Sequence, residues 1–181
     1  MRRTPWTRQG NSKRSAGFTL IEILIVVIVL GILAMIIIPQ ITVSTEDAKT
    51  STLSTNLSAL RSAVELYYHE HDNVYPGVVD DTDGAGAPAD AAAAAAAFIN
   101  QLTRYTEVNG KAVTVKTAAA KYGPYLKGGA LPTNSFNDLA TVLCDIANDD
   151  ITVKASSGTA GWKFYTITGV LLANDGAHDS L

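Results

Sequence analysis

Cysteine is almost absent from this sequence of 181 residues, in which Cys144 stands alone. A single cysteine cannot form a disulfide within the chain, so no such bond holds the fold. We expect Cys144 to be a small buried apolar residue rather than a reactive thiol. The sequence also lacks a phosphate-binding loop, a dinucleotide fingerprint and a Ser-His-Asp pattern, and it therefore gives no support to an enzyme.

Basic residues are scarce beyond the first seventeen positions. Of the 14 Lys and Arg residues, five lie in residues 1–17, where no acidic residue occurs. This leaves nine basic against 17 acidic residues from Phe18 onward, a net charge of −8. Phosphate binding needs clustered Lys and Arg, so the acidic body argues against a nucleic-acid partner. The five leading bases are Arg2, Arg3, Arg8, Lys13 and Arg14.

A long apolar run, Phe18 to Ile38, follows this basic segment. Its length, about 21 residues at ~1.5 Å each, matches a bilayer core of ~30 Å and predicts a transmembrane segment. The basic segment would then be held in the cytoplasm. In an ordinary secretory signal the small-residue cleavage site follows the apolar core, whereas here Ser15, Ala16 and Gly17 precede it. We therefore predict that residues 1–17 are a leader whose removal leaves the apolar segment on the mature chain.

The helical pattern continues after the apolar run, beyond Pro39. The sequence His71–Gly77, HDNVYPG, supplies the turn residues that end a helix. The pattern predicts one helix of roughly fifty residues, whose first half suits lipid and whose second half suits a small globular domain. In the second half, apolar residues recur at the spacing of an amphipathic helix: Leu53, Leu57, Leu60, Val64 and Tyr67 or Tyr68.

The rest of the chain predicts shorter elements. Asp90 precedes an alanine run and can cap a second helix over about 89–106. The segment 122–138 has Pro and Gly at turn positions and predicts a long packed loop. Alternating, β-branched and aromatic residues predict three strand regions: 111–116, 150–155, and a hairpin over 161–173 with its turn near Gly169.

Together these elements predict an α+β fold, in which a long N-terminal helix with a transmembrane half and an amphipathic half packs on a small antiparallel sheet. The predicted organisation is a cleaved basic leader, 1–17, a transmembrane and assembly helix, 18–39, and a globular domain, 40–181. That last part includes the amphipathic half of the long helix.

Glu22 is an unusual residue because it lies four positions into the predicted membrane segment. A carboxylate in hydrocarbon costs a few kcal/mol and is normally paired. Cleavage before Phe18 would create a free amine about one helical turn away. Between stacked copies, Glu22 of one copy could then meet the Phe18 amine of the next and fix the register of a filament. The alternative is that Glu22 lies near the interface and reaches water.

The order Gly17-Phe18-Thr19-Leu20-Ile21-Glu22, followed by a long apolar helix, resembles the start of mature chains in the type IV pilin superfamily. Gly31 and Pro39 also fall where that family has a helix-weakening glycine and proline. The later sequence resembles the major pseudopilins of type II secretion. This second likeness rests on Val74–Gly77, on Tyr122–Leu126 and on Gly161–Tyr165, and the absence of a disulfide agrees with it.

The resemblance implies a pilin-like fold and a series of partners. A prepilin peptidase, a membrane aspartic protease, would cut after Gly17 and methylate the Phe18 amine. Glu22, Gly31 and Pro39 would serve assembly into a helical filament of identical subunits. Membrane lipid before assembly, minor pseudopilins and an inner-membrane assembly platform would be the other partners. The implied location is the bacterial inner membrane, with the C-terminal domain in the periplasm, and then a periplasmic filament.

Metal sites have little support in the sequence, and no cofactor is predicted. The family's C-terminal loop often binds calcium, and Asn174, Asp175 and Asp179 supply oxygen ligands in a comparable place. A solvated polar terminus is the alternative explanation. His69 and His71 flank an acidic residue, but side chains two apart on a helix point to different faces. We therefore interpret this stretch as a solvated helix end.

Three functions remain open at this point. The first is a structural subunit of a type II secretion pseudopilus, which helps drive protein export across the outer membrane. The second is a subunit of a type IV pilus used for adhesion, motility or DNA uptake. The third is a single-pass membrane anchor that carries a small binding domain, in which case Phe18 stays joined to Gly17.

Overall fold

The structure, a computed structural model, describes residues 17–150, 152–154 and 157–181, without the side chains of residues 36–44. The predicted leader, apart from Gly17, lies outside the described residues. The chain divides after Ser44 into two compact units. The predicted domain boundary between residues 39 and 40 stays a prediction. Within the described residues the elements are α1 (Leu20–Glu70), α2 (Ala91–Thr103), β1 (Tyr105–Thr106), β2 (Ala112–Val113), β3 (Val142–Asp145), β4 (Trp162–Tyr165) and β5 (Leu171–Ala173).

The long helix predicted from the sequence is confirmed as α1, which has 51 residues and runs on through Pro39. It begins in the first compact unit and ends in the second. Asp72 and Asn73 follow its last turn with φ angles of 52° and 61°. This left-handed conformation ends helices, and Asn and Asp tolerate it better than most residues. The predicted stop signal at residues 71–77 therefore works through these two residues.

The second helix also forms where the alanine run predicts it, although it is shorter than 89–106. Asp90 is its N-cap, and one carboxylate oxygen accepts hydrogen bonds from the backbone N–H groups of Ala92 and Ala93 at 2.9 and 2.8 Å. These bonds satisfy two donors that a helix start leaves without partners. The buried face of α2 includes Phe98 and Leu102, which join the core.

The strands form two small sheets. One of them contains a parallel pair, so the prediction of a purely antiparallel sheet is wrong in this respect. The first sheet pairs β1 with β2 in antiparallel fashion. The second has the order β3-β4-β5, in which β3 runs parallel to β4 and β4 pairs with β5 as the predicted hairpin. Gly169, with φ of 73°, lies in the turn of that hairpin. The fold class is therefore α+β, with one antiparallel and one mixed sheet.

The predicted strand at residues 150–155 is wrong for those of its residues that the structure describes. Residues 150 and 152–154 are not in a strand, while Ile151 and Ala155 lie outside the described residues. An oxygen of the Asp150 carboxylate accepts from the backbone N–H and the hydroxyl of Thr152, at 2.8 and 2.7 Å. This side-chain turn competes with strand pairing. The strand that forms instead is β3, which the sequence pattern did not reveal.

The core lies where the buried stripe of α1 meets α2 and the mixed sheet. The predicted stripe is confirmed, and Tyr67 rather than Tyr68 completes it. Phe98 of α2 packs on Phe164 of β4, with ring centroids 4.7 Å apart. Cys144 is a free cysteine buried in β3, and burial raises the pKa of its thiol to about 12. The interpretation of Cys144 as a buried apolar residue is therefore confirmed.

Gly161 is required by close packing at the start of β4. A Cβ atom at this position would clash with the carbonyl group of Leu139, which is rigid backbone. We predict that Gly161→Ala lowers the free energy of unfolding of the detergent-solubilised chain by about 3 kcal/mol, because the sheet edge must shift to admit the methyl group. Denaturant unfolding followed by Trp fluorescence measures this change.

Gly86→Ala is the matched control. Gly86 has φ of 74°, but a Cβ atom there would meet nothing within 4 Å, so the substitution strains the backbone without a clash. It should cost about 1 kcal/mol. An equal loss for both variants would contradict the assignment of Gly161 to close packing.

Candidate functional site

The predicted cleavage junction lies just outside α1. Residues 17–19 are not helical, and α1 begins at Leu20. The Phe18 side chain is 85% exposed. A Cβ atom at Gly17 would meet nothing within 4 Å, so the described fold does not itself require glycine there. The Gly17–Phe18 bond is thus held in irregular, exposed backbone, which is the state in which a protease can bind a segment.

Thr19 and Glu22 form a reciprocal cap at the start of α1. Oε2 of Glu22 accepts from the Thr19 backbone N–H at 2.7 Å and from the Thr19 hydroxyl at 2.8 Å. In return, the Thr19 Oγ1 accepts from the backbone N–H of Glu22 at 3.3 Å. This is the capping box, in which two residues three apart satisfy each other's backbone donors. Glu22 therefore has a partner within its own chain.

This role of Thr19 was not among the predictions from the sequence. A Thr followed three residues later by Glu, just before an apolar run, is a known signal of a helix start. Thr19 and Glu22 carry this signal in the sequence, and the capping role of Glu22 is separate from its unusual position in the apolar run. The cap also fixes where the carboxylate lies, within one turn of the Phe18 backbone.

Apolar side chains cover the first part of α1 on every side. Large apolar side chains from Phe18 to Met35 are exposed by 48% or more. A helix that is apolar all round is normally covered by lipid or by other protein. The exposed side chains are those of Phe18, Leu20, Ile21, Ile23, Leu24, Ile25, Val26, Val27, Ile28, Val29, Leu30, Ile32, Leu33 and Met35.

Among the residues whose side chains are described, no helix contains a stretch long and apolar enough to cross a membrane. The predicted span from Phe18 to Ile38 ends outside that set, since the side chains of residues 36–38 are not described. The transmembrane segment stays a prediction.

Gly31 and Pro39 lie within α1, eight residues apart. A Cβ atom at Gly31 would meet nothing within 4 Å, so its surroundings in the described chain do not require a glycine. The side chain of Pro39 is outside the described set. Glycine in a helix costs about 1 kcal/mol relative to alanine, and a helical proline removes one hydrogen bond. Their predicted roles in assembly stay predictions.

The stretch around His71 is not the solvated helix end that the sequence suggested. His69 is exposed, but His71 is buried and its ring stacks on Tyr67, with centroids 3.7 Å apart. His71 Nδ1 donates to the Tyr67 carbonyl oxygen at 2.8 Å, and Nε2 accepts from the Thr106 hydroxyl at 2.9 Å. A His just beyond a helix end can thus belong to the core, and only the tertiary contacts reveal it.

The residues considered for calcium make contacts within the protein. The buried Asn174 side-chain oxygen accepts from the Ser157 backbone N–H at 2.6 Å. One oxygen of Asp175 accepts from the backbone N–H groups of Ala177 and His178, and the other accepts from the Asn134 side chain at 3.0 Å. Asn174 and Asp175 are therefore already engaged in holding loops together.

The side-chain oxygens of Asn174 and Asp175 thus serve hydrogen bonds of the fold. In the part of the chain that the structure describes, no three His, Cys, Asp or Glu side chains come together as a metal site. Calcium binding at the C-terminal loop stays a prediction.

Comparisons with known proteins match the N-terminal segment to a family model and find similar proteins over about a third of the chain. Residues 12–38 match the family described as the prokaryotic N-terminal methylation motif. The chain is 38% identical over 55 residues to the type II secretion system core protein G of Pseudomonas aeruginosa, a match that covers 30% of this chain and 39% of that protein. It is 36% identical over 64 residues to the protein of the same name from Vibrio cholerae, covering 35% and 43%.

A pilus protein is similar as well. The chain is 46% identical over 59 residues to the type IV major pilin protein PilA of Myxococcus xanthus, which covers 33% of this chain and 27% of that protein. The chain thus matches less than half the length of each of these curated relatives. No solved structure matches the chain.

Burial of His71 predicts a pH dependence of stability. Burial lowers the pKa of His71 below its ordinary value of 6.5, although hydrogen bonding to Tyr67 and the nearby Glu70 oppose the shift. The unfolded chain takes up a proton near pH 6.5 while the folded chain does not. The free energy of unfolding should therefore fall as the pH drops from 6.5 toward the lower folded pKa. Denaturant unfolding at a series of pH values measures it.

His71→Gln should reduce the decrease in the free energy of unfolding below pH 6.5. His69→Gln, at the exposed neighbouring position, should leave that decrease unchanged. If both variants keep the slope of the parent chain between pH 6.5 and 5, another group carries the pH dependence.

Proposed function

We propose that this chain, similar in part to core protein G of type II secretion, is a structural subunit of a pseudopilus that helps drive protein export across the outer membrane. The observation that carries the proposal is the match of residues 12–38 to the N-terminal methylation motif. The exposed apolar surface of the first part of α1 supports it, because such a surface needs a partner. The several similarities to core protein G favour secretion over other filaments.

Processing comes first in the proposed sequence of events. The basic leader holds the N-terminus in the cytoplasm while the apolar segment inserts in the inner membrane and the body lies in the periplasm. A prepilin peptidase cuts the Gly17–Phe18 bond and methylates the new amine. The exposed, non-helical backbone at residues 17–19 suits this step. The apolar helix stays on the mature chain.

Assembly then brings the apolar helices of many copies together. Burial of their exposed side chains against each other supplies the main stabilisation of the filament. The Phe18 amine of one copy meets Glu22 of its neighbour, which fixes the register, since an unpaired charge in an apolar core is costly. In the free chain both side-chain bonds of Glu22 use Oε2, so Oε1 is left to accept from the neighbour.

Gly31 and Pro39 fit this proposal as positions where α1 softens during extraction from the bilayer. The chain itself contributes structure rather than catalysis. An ATPase and an inner-membrane assembly platform would supply energy and guidance, and minor pseudopilins would complete the filament. Lipid surrounds the apolar helix until the subunit is extracted.

A type IV pilus subunit is the second candidate, and the similarity to the Myxococcus xanthus pilin favours it. The processing and assembly steps would be the same, but the filament would extend from the cell surface. A single-pass anchor with a small binding domain is the third candidate. It differs from the other two because Phe18 would keep its bond to Gly17.

Glu22 provides the test of the assembly step. Glu22→Gln should keep the cap of α1, since Gln also serves in a capping box, but it removes the charge that pairs with the neighbouring amine. We predict that filament yield falls about tenfold or more, because an amine is left unpaired in an apolar core. Sheared filaments quantified by immunoblot measure the yield, and mass spectrometry of the mature chain reports cleavage after Gly17.

Thr19→Ala is the matched control, because it weakens the cap but keeps the carboxylate. It should assemble close to the parent level at a cost of about 1 kcal/mol in helix stability. Normal filaments from Glu22→Gln would contradict the register role. A full-length chain with an intact Gly17–Phe18 bond would favour the membrane anchor.

Deletion of the gene distinguishes secretion from pilus function. We predict that exported proteins accumulate in the periplasm of the deletion strain while surface fibres remain, because a pseudopilus drives export. Immunoblots of culture medium and periplasm, together with electron microscopy of surface fibres, measure both effects. Loss of fibres with normal secretion would favour the pilus instead.

A further inference from the structure

Thr19 has the backbone and side-chain contacts of an N-cap residue. Its carbonyl oxygen accepts the first hydrogen bond of α1, from the backbone N–H of Ile23 at 3.4 Å, while Thr19 itself is not helical. Its hydroxyl accepts from the Glu22 backbone N–H, and the Glu22 carboxylate accepts from the Thr19 backbone N–H. This reciprocal pair fixes the start of α1 at Leu20, because it supplies partners for backbone donors that the helix itself cannot satisfy.

The neighbouring apolar side chains support the same helix start. Phe18 comes directly before the N-cap residue and Ile23 comes four positions after it, and both line one shallow groove on the surface of α1. This is the placement of a hydrophobic staple, which fixes the direction in which a chain enters a helix. Gly17 precedes the staple, and glycine disfavours a longer helix. As a result, α1 begins two residues after the predicted cleavage bond.

A protease needs free backbone groups beside the bond that it cuts. In an α-helix the N–H and C=O groups are bonded within the segment, whereas an extended segment can form hydrogen bonds to a partner along its backbone. Among the residues that the structure describes, none donates to or accepts from the backbone of Gly17 or Phe18. The backbone on both sides of the predicted cleavage bond is therefore available to an enzyme.

The apolar surroundings of the inserted helix decide what α1 does when the cap is lost. If the helix unwound toward its middle, backbone N–H groups would lose their partners inside hydrocarbon, which costs more than a cap contributes. If α1 instead grows by one turn toward the N-terminus, the N–H groups of residues 20–22 gain the carbonyl groups of residues 16–18 as partners. The longer helix is therefore the alternative to the capped one, and it would include the Gly17–Phe18 bond.

We propose that Thr19 is a positioning residue for cleavage: its cap with Glu22 stops α1 short of the Gly17–Phe18 bond and keeps that bond open to the peptidase. The inference rests on the proposed function, of which cleavage after Gly17 is a part. The cap acts on the chain before the enzyme binds it, so loss of the cap lowers the fraction of chains that can bind. The KM of the peptidase then rises while kcat stays the same, because the chains that do bind are cut at the parent rate. A slower cut still goes to completion in cells, so Thr19 variants should still assemble.

Substitutions at Thr19 separate capping from side-chain shape. Thr19→Val keeps the shape and has a similar helix propensity, but it has no hydroxyl group to form a cap. We expect the KM of a purified prepilin peptidase for the detergent-solubilised full-length chain to rise about fivefold, the factor that corresponds to a lost cap of ~1 kcal/mol, with kcat unchanged. Thr19→Ser and Thr19→Asn, which cap at least as well as Thr, should keep KM within about twofold of the parent value. Mass spectrometry of the cut chain over time measures these rates.

The conformation of the junction is measured in the same detergent without the enzyme. The NMR chemical shifts of the Cα atoms of residues 17–19 should move toward helical values in Thr19→Val and stay at the parent values in Thr19→Asn, because only the first variant loses the cap.

Several outcomes would overturn the positioning role of Thr19 while the proposed function stands. These are a parent-like KM for Thr19→Val, a raised KM without the helical shift, and a KM raised equally by Thr19→Asn, which would mean that the peptidase binds the Thr19 side chain itself. A lower kcat at unchanged KM would count against it in the same way. A parent chain that the peptidase does not cut between Gly17 and Phe18 would overturn both the inference and the proposed function.

Discussion

The body of this protein depends on the burial of one stripe of α1. The strands have only two to four residues, and such short strands are not stable by themselves. They form because α1 offers a continuous apolar surface, which includes Leu53, Leu57 and Leu60. Trp162 and Phe164 of β4 are buried in the same core as these residues. The first part of the same helix belongs to the other compact unit, and its large apolar side chains are exposed. A single element thus serves two environments.

Buried amides hold the loops of the body in the absence of a disulfide. Gln101 accepts from the Gly77 backbone N–H at 2.7 Å and donates to the carbonyls of Val79 and Gly110 at 3.1 and 2.9 Å. Asn134 donates to the Gly161 carbonyl at 3.0 Å and also binds Asp175. Loss of either buried amide would be destabilising, because several backbone groups would lose their hydrogen-bond partner. The same network engages Asn174 and Asp175, whose oxygens serve the fold.

The N-terminal segment shows how one carboxylate can serve two purposes. In the free chain Glu22 caps α1 through Thr19, which compensates part of the cost of a charge beside apolar residues. In the proposed filament the same carboxylate meets a neighbouring amine. A local partner of this kind keeps Glu22 satisfied in the free chain, and it places the carboxylate within one turn of Phe18, the residue that the proposed cleavage would make the N-terminus.

The sequence by itself determined the features that depend on neighbours along the chain: the length of α1, its end at Asp72 and Asn73, the Asp90 cap and the hairpin turn at Gly169. It also predicted cleavage between Gly17 and Phe18 and an assembly role for Glu22, because their signals are local. Only the tertiary structure decided the parallel pairing of β3 with β4 and the burial of His71 against Thr106. These features depend on residues distant in sequence, whose contacts form only when the core assembles, and local propensity does not encode them.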